Sequence, residues 1–329
     1  MYCPLPFDNF QVKPDGEIYC CCEDWLPYSI GNLLRTPSSA IWNGEIAKAI
    51  RASILDQTFE FCTRCPYLPG PAGPVRASTP DGYPHELHVP TVRTLVLNHD
   101  RTCNLKCGSC RTSSVDRSGS EASEAKTSSV HHALEESDLL RTSRRIYASG
   151  TGDPVASPLY WDLLCHYPLR STTQIVLHTN GILLTPDRWR ELGSNARLVS
   201  QIGASVDAAT PATYAQLRGG HWDILWQNLR HAASLREPTR PIEMGLYYTV
   251  QAANYAELPL LEDLATSIGA SWIVIFFIRN WGTYSDREYS ERAVHLPQHP
   301  EHSRFNRVMH HLLTRPIYVL PHLTLPPSP

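Results

Sequence analysis

Apolar residues in this chain gather in short runs. Runs at 94–97, 145–148, 174–178, 198–206, 242–250 and 272–278 are nearly continuous in apolar and β-branched character, as parallel strands buried on both faces are. Helical candidates lie between them at 158–166, 185–194, 211–217, 222–236 and 255–268. Ser157 before Pro158 reads as an N-cap followed by a favoured first helical residue. Six such strands alternating with helices predict an α/β fold, either a parallel sheet or a partial barrel. Residues 66–90 hold seven prolines with Gly70, Gly73 and Gly82 among them, which predicts an extended connector. Residues 112–128, rich in Ser, Glu and Gly, predict a flexible insertion, and the Pro-rich end from Pro316 an irregular segment.

With 329 residues, 42% of them hydrophobic, the chain has ample material for a core. The net charge is −3 without a long like-charge run, so neither a nucleic-acid footprint nor a polybasic membrane anchor is visible. The longest unbroken apolar stretch, 272–278, falls far short of the roughly 20 residues of a membrane span. The start, Met1-Tyr2-Cys3-Pro4, lacks the basic and apolar regions of a signal peptide. A cytoplasmic location with neither nucleic acid nor membrane as partner is expected.

Ten cysteines change the picture. Six lie in the first 65 residues (Cys3, Cys20, Cys21, Cys22, Cys62, Cys65), three are Cys103, Cys107 and Cys110, and the last is Cys165. Without a signal peptide and at this length a disulfide framework is not expected, and tight thiol clusters suggest metal. Cys103-Asn-Leu-Lys-Cys107-Gly-Ser-Cys110 directly follows the first strand. Three thiolates on one loop can hold three corners of a small iron–sulfur cluster, leaving one iron open to a ligand. A zinc knuckle completed by His99 is the alternative.

C-x3-C-x2-C after the first of six βα units resembles the radical S-adenosylmethionine (SAM) superfamily. The resemblance implies a partial (βα)6 TIM-type barrel in which a [4Fe–4S] cluster on Cys103, Cys107 and Cys110 binds SAM. Reductive cleavage of SAM then yields a 5′-deoxyadenosyl radical that abstracts hydrogen from substrate. Ser149-Gly150-Thr151-Gly152-Asp153 resembles the glycine-rich motif of that family, which implies contact with the SAM ammonium through backbone and carboxylate. Asn180 and Ser205, ending strands 3 and 4, and Arg218 in Leu217-Arg218-Gly219-Gly220 match positions that imply contacts to the ribose and carboxylate of SAM. One departure is Ser109, where relatives often carry an aromatic residue near adenine; that contact has to come from elsewhere.

The N-terminal pattern Cys3 … Gly16-Glu-Ile-Tyr-Cys20-Cys21 … Ile41-Trp42-Asn43 … Cys62-Thr-Arg-Cys65 resembles the auxiliary-cluster module called Twitch, related to the SPASM domain. The resemblance implies Cys3, Cys21, Cys62 and Cys65 as ligands of a second [4Fe–4S] cluster, with Cys20 or Cys22 as alternatives to Cys21. By donor count alone, a four-cysteine zinc site fits equally well. The implied organisation is an auxiliary module and Pro-rich linker over 1–90, a radical SAM partial barrel over 91–290 and an irregular segment over 291–329.

The N-terminal placement of that module, Trp281-Gly-Thr-Tyr284 and Ala293-Val-His-Leu-Pro-Gln-His-Pro300 resemble radical SAM proteins of sugar and aminocyclitol antibiotic pathways. These are dehydrogenases and epimerases of carbinol carbons. An epimerase needs a thiol at the barrel mouth. Only Cys165 is left unassigned, about 10 Å down a helix that runs away from strand 2, where helix–sheet packing is expected to bury it. Dehydrogenation of a secondary alcohol is therefore expected, with the auxiliary cluster taking the electron. His178, Asp207 and Glu243 are the candidate bases. The implied partners are an amino-sugar or aminocyclitol substrate and a reductant protein such as flavodoxin or ferredoxin. A sugar epimerase is the alternative enzyme, and a non-catalytic iron–sulfur or zinc module the alternative of another class.

Overall fold

A computed structural model of the chain describes residues 2–23, 25–63, 65, 68, 86–110, 121–148, 152–237, 239 and 241–319. The chain divides into two compact units. The first comprises Met1–Thr102, Arg117–Gly152 and Ser157–Val176, the second Cys103–Asp116, Asp153–Ala156 and Leu177–Pro329.

In the first unit the elements are α1 (Leu5–Asp8), β1 (Asn9–Val12), β2 (Glu17–Tyr19), β3 (Gly31–Asn32), α2 (Ser38–Trp42), α3 (Glu45–Leu55), β4 (Thr94–Leu97), α4 (Glu121–Glu136), α5 (Leu139–Thr142), β5 (Arg145–Ala148) and α6 (Pro158–His166). β6 (Gln174–Thr179) opens in this unit. Strand order is β3-β2-β1-β4-β5. The cysteine-rich N-terminus thus adds strands to the sheet, with β1 running parallel to β4 from Asn9 opposite Thr94 to Val12 opposite Leu97.

Ser157 caps α6 by accepting from the Tyr160 backbone N–H, with Pro158 in the first turn. That cap also orders the loop leaving β4. Ser157 Oγ donates to Asp100 Oδ2 at 2.6 Å, and the buried Tyr160 hydroxyl accepts from the backbone N–H groups of His99 and Asp100 at 2.6 and 2.7 Å. The chain is fixed in this way just before Cys103.

The second unit holds α7 (Pro186–Glu191), β7 (Val199–Ser205), α8 (Pro211–Arg218), α9 (Trp222–Ser234), β8 (Glu243–Val250), α10 (Leu258–Ser267), β9 (Trp272–Phe277), α11 (Asp286–Arg292), α12 (His302–Leu312) and β10 (Tyr318–Val319). β7-β8-β9-β10 are parallel neighbours. The two-residue period of a strand sorts the side chains. Ile202, Ala204, Met244, Leu246, Tyr248, Ile273 and Ile275 are fully buried on one face. On the other, inner face, Ser205, Tyr247, Thr249, Trp272 and Val274 stay half-buried. The fold is an α/β sheet of the partial-barrel kind, and the sheet is not closed.

All six expected strands are present, β4 and β5 with the expected bounds. Three expectations need correction. Residues 111–120 lie outside the described residues, but 121–128 begin helix α4 rather than a flexible insertion, because Val130, His131 and Leu134 give that helix one buried face. The segment 291–329 is not irregular throughout. α12 buries Phe305, Met309 and Leu312 at helical spacing, and β10 pairs with β9. Cys165, expected in helix–sheet packing, is half-buried on the last turn of α6.

Candidate active site

Cys103, Cys107 and Cys110 lie on the loop after β4, half-buried, buried and exposed respectively. Cys103 Sγ accepts from the Leu105 N–H at 3.5 Å and from Asn180 Nδ2 at 3.8 Å, and the same Asn180 nitrogen donates to Asn104 Oδ1 at 2.8 Å. Asn180, one residue beyond β6, is thereby bound to the cysteine loop. The glycine before Asp153 is dictated by close approach. A Cβ on Gly152 would stand 2.2 Å from the Thr102 carbonyl oxygen, so no side chain fits there. Ser149, Gly150 and Thr151 lie outside the described residues.

Asp153 is buried, and its carboxylate is committed. Oδ1 accepts from Val155 N–H (3.0 Å) and Ala156 N–H (3.3 Å), Oδ2 from Asn180 N–H (2.6 Å) and Thr179 Oγ1 (2.8 Å). Burial raises its pKa and these donors oppose the rise. Such a carboxylate positions the end of β6.

Asp207 and Arg218 form a buried ion pair. The second carboxylate oxygen of Asp207 accepts from the Thr249 N–H at 2.6 Å, and its own carbonyl accepts from Asn254 Nδ2 at 2.9 Å. Both Asp207 oxygens are thus engaged, which ties the turn after β7 to Arg218 and to β8. Burial pulls the Arg218 pKa down, but the anionic character of Cys107, Asp207 and Tyr214 outweighs that and leaves it raised. Arg218 and Tyr214 are buried beside Cys107 and act on one another. A buried guanidinium beside Cys107 suits an anionic ligand, as a SAM carboxylate at a cluster there would be.

His178 and Ser205 meet on the inner face, Nε2 to Oγ 3.1 Å. Burial, then the nearby Arg218 charge, pulls the His178 pKa down to about 4, so the imidazole is neutral at neutral pH. Its ring lies 4.1 Å from that of Tyr247, which stacks on Phe276 at 5.8 Å and packs against Trp272 at 5.1 Å. Two strand glycines make room for this aromatic floor. A Cβ on Gly203 would stand 2.3 Å from the Tyr247 ring, and one on Gly245 2.1 Å from the Trp272 indole. Periodicity did not single out this floor, although a glycine inside a strand is its sequence signal. Glu243 is corrected as a candidate base. It opens β8 opposite Gln201, exposed, and accepts from Trp272 Nε1 at 2.8 Å. β8 runs from Glu243 to Val250, which puts Glu243 about 23 Å from the far end of its strand at roughly 3.3 Å per residue.

From the loop after β9, Tyr284 brings its hydroxyl to 3.3 Å from where a Gly108 Cβ would stand. Asn280 holds that loop through Gly282 N–H, Tyr284 N–H and the Tyr284 carbonyl. An aromatic residue thus approaches the cysteine loop from a distant segment, where Ser109 supplies none.

The N-terminal cysteines act on one another. Cys3 senses Cys65; Cys62 senses Cys3 and Cys65; Cys20 senses Cys3 and Cys62; Cys21 senses Cys20, Cys3 and Cys22. Burial pushes Cys20 and Cys62 up to about 12, so ligation by thiolates entails proton release. Among the described residues no group of three or more His, Cys, Asp or Glu converges as a metal site by geometry. No described helix is long and apolar enough to cross a membrane. A cleft of about 640 Å³ lined by Arg35, Trp42, Glu136 and Asp138 contains none of the expected site residues.

Comparison with known proteins gives two family matches, the radical SAM superfamily over residues 97–247 and an iron-sulfur cluster-binding domain, SPASM, over residues 3–66. No curated protein matches. Among solved structures, coproporphyrinogen III oxidase (HemN) from Escherichia coli, a radical SAM enzyme, is similar at 11% identity and TM-score 0.47, over 68% of this chain and 53% of that one. SuiB of Streptococcus suis bound to its precursor peptide SuiA is similar at 14% identity and TM-score 0.46, over 88% of this chain and 65% of that one. The chain therefore spans less than two thirds of either protein. The radical SAM domain implies a [4Fe–4S] cluster and SAM, and the SPASM domain implies further iron–sulfur ligation. Residues 97–247 thus match the radical SAM family, preceded over residues 3–66 by a match to the SPASM iron-sulfur cluster-binding domain.

Proposed function

We propose that this protein is a radical SAM dehydrogenase that converts a secondary alcohol of an aminocyclitol or amino-sugar antibiotic precursor to a ketone. It resembles, in this reading, the dehydrogenase of spectinomycin biosynthesis. When bound, SAM at the Cys103, Cys107 and Cys110 cluster supplies the hydrogen-abstracting radical, and a cluster on Cys3, Cys21, Cys62 and Cys65 accepts the remaining electron. The balance is one alcohol and one SAM to one ketone, one methionine, one 5′-deoxyadenosine and one proton, with the electron recycled. A flavodoxin- or ferredoxin-like protein is the proposed reductant.

The observation that carries this reading is the neutral His178 imidazole on Ser205, on an inner face whose strands β6 to β9 contain no cysteine. A neutral imidazole can take a hydroxyl proton, and strands without a cysteine offer no thiol to return a hydrogen atom to a carbon radical. Gly152, Asp153, Asn180 and Arg218 hold the cysteine loop and its surroundings in place. The flat rings of Tyr247, Trp272 and Phe276 offer a stacking surface for the carbon face of a cyclitol, and the proposed 1–90 and 91–290 division assigns electron acceptance and substrate binding to separate parts of the chain.

The test is anaerobic reconstitution followed by turnover with SAM, a low-potential reductant and a panel of aminocyclitols. Expected are products lighter by two hydrogens in step with 5′-deoxyadenosine. A product of unchanged connectivity that carries one solvent deuterium at an inverted carbinol would establish the epimerase instead. Tightly bound zinc without iron would remove the enzyme reading altogether.

A further inference from the structure

Ser205 is the last residue of β7 and His178 the last but one of β6. Their side chains meet on the inner face, Oγ to Nε2 at 3.1 Å, and both are half-buried. The imidazole is backed by Tyr247, whose ring lies 4.1 Å away at an angle of 30°. Tyr247 is the direct neighbour of Ser205 in the β7–β8 register, and it is seated over Gly203, where a Cβ would stand 2.3 Å from its ring. Hydroxyl, imidazole and phenol ring therefore form one packed group. His178 also lies two residues before Asn180, whose Nδ2 donates to Cys103 Sγ at 3.8 Å. The group thus stands at the end of the strands that meets the cysteine loop.

A serine hydroxyl has one hydrogen to donate and two lone pairs with which to accept. His178 Nε2 is the partner of the Ser205 hydroxyl among the described residues. A neutral imidazole with its hydrogen on the other nitrogen accepts at Nε2. The Ser205 hydrogen then points at the ring, and its two lone pairs remain for a second hydroxyl. Asp207, two residues further along, is engaged by Arg218 and by the Thr249 N–H.

We propose that Ser205 is a catalytic residue: its hydroxyl takes the proton of the substrate alcohol and in the same step hands its own to His178 Nε2. The inference rests on the reading that His178 is the base of a dehydrogenase. After hydrogen abstraction the substrate is a carbon radical that bears a hydroxyl. Its O–H bond breaks as a bond to Ser205 Oγ forms, and the Ser205 O–H bond breaks as the bond to Nε2 forms, so no serine alkoxide arises. The pair ends as serine and imidazolium, the remaining electron goes to the iron–sulfur acceptor proposed above, and the substrate is left as the ketone. The imidazolium returns its proton to water. The resemblance implied a SAM contact for Ser205; a relay gives that hydroxyl to the substrate, and the two roles predict opposite results for SAM affinity.

The experiment is anaerobic turnover of the full-length reconstituted protein with SAM, a low-potential reductant and a panel of aminocyclitols, with ketone and 5′-deoxyadenosine scored separately, beside calorimetric titration with SAM. The variants are Ser205→Ala, Ser205→Thr, His178→Gln and the double Ser205→Ala, His178→Gln. Ser205→Ala is expected to slow ketone formation by roughly 10²-fold, the lower end for a positioned base, while SAM affinity stays with the parent and 5′-deoxyadenosine still forms. Ser205→Thr keeps the hydroxyl and is expected to stay near the parent. The double variant is expected to be no slower than His178→Gln, because groups that act as a unit are not additive. Parent-like ketone formation in the Ala variant, a Thr variant as slow as the Ala variant, an additive loss in the double variant, or loss of SAM affinity together with both products overturns the relay. Where the Ala variant does not fold, the Thr variant decides alone: parent-like ketone formation supports the relay and a loss overturns it. A His178→Gln variant at the parent rate, or a parent that oxidises no alcohol, defeats the base reading itself, whereas a slow His178→Gln beside a parent-like Ser205→Ala defeats only the role of Ser205.

Discussion

Arg218 Nη1 lies 2.7 Å from Asp207 Oδ2, with the two side chains only 9% and 8% exposed. The pair joins the end of α8 to the turn after β7, where Asp207 adopts a left-handed backbone with φ 52°. A buried pair broken from one side strands the other charge. Asp207→Ala is therefore expected to lower the unfolding free energy by about 3–5 kcal/mol, measured by anaerobic denaturant titration. The double variant Asp207→Ala, Arg218→Leu should recover part of that loss. A single-variant effect within the range of an exposed pair, about 1 kcal/mol or less, contradicts the buried-pair account.

Asp153 satisfies four donors at the end of β6 and in its own turn. Asp153→Ala leaves those donors to find other partners and should cost about 2–4 kcal/mol, at 1–3 kcal/mol per stranded group with partial relaxation. Asp153→Asn keeps one acceptor oxygen and should fall between the parent and Ala. Calorimetric titration with SAM separates the roles. A positioning carboxylate predicts that affinity tracks stability across the two variants, while a direct ammonium ligand predicts equal loss of affinity in both.

His178 has its pKa drawn down to about 4, first by burial and then by Arg218. As the base it must be neutral, so the acid limb of the turnover profile should lie near pH 4 to 5 and not near the ordinary histidine value of about 6.5. His178→Gln should lower turnover by roughly 10²–10⁴-fold while SAM binding is kept. An acid limb at 6.5 that survives the substitution would remove His178 from the role.

His99 is fully buried, with Nε2 3.1 Å from His131 Nδ1. Burial first, then His131, lowers its pKa to about 3, against about 6.5 in the unfolded chain. The folded state therefore binds the proton less readily. The stability this histidine contributes is fully present above pH 6.5 and is lost as pH falls from 6.5 toward 3. Across that window it adds about 1.4 kcal/mol per pH unit to the slope of stability against pH. His99→Gln should reduce the slope by one proton, whatever its effect at neutral pH. An unchanged slope would mean that His99 is charged in the folded protein.

Gly245 lies under the Trp272 indole, where a Cβ would meet ring atoms at 2.1 Å. Gly245→Ala should cost about 1–3 kcal/mol by overpacking and break the Trp272 Nε1 bond to Glu243. Near-UV circular dichroism should show the loss of the fixed indole, and adding Trp272→Leu should restore stability. A Gly245→Ala variant with the parent spectrum shows that the floor is loose.

Much of the framework was legible along the chain because it rests on local patterns. Continuous apolar runs placed β4 to β9, and Ser157-Pro158 placed the start of α6, since strand burial and helix capping depend on neighbours only a few residues apart. The cysteine spacings, C-x3-C-x2-C and a closing C-x2-C, were legible for the same reason. α12 escaped notice although Phe305, Met309 and Leu312 are at helical spacing, because surrounding histidines dilute the apolar pattern. The start of α4 was hidden by a composition that is polar until Val130.

What the sequence by itself determined is the alternation of strands and helices, the cysteine spacings, and the absence of a cysteine from β6 to β9. What only the tertiary structure decided is which partners the polar residues meet. Asp153 and Asp207 spend their oxygens on backbone and Arg218, Glu243 stands at the far end of its strand, and His178 remains with a neutral ring beside Ser205. Tyr247 and Trp272 lie over glycines of neighbouring strands, Tyr284 reaches Gly108, and Arg51 is a buried cation bonded to the Pro6 and Leu87 carbonyls and to Asn43. Each of these depends on partners dozens of residues apart. Hydrogen-bond satisfaction and burial are properties of the assembled neighbourhood, and no local spacing carries them.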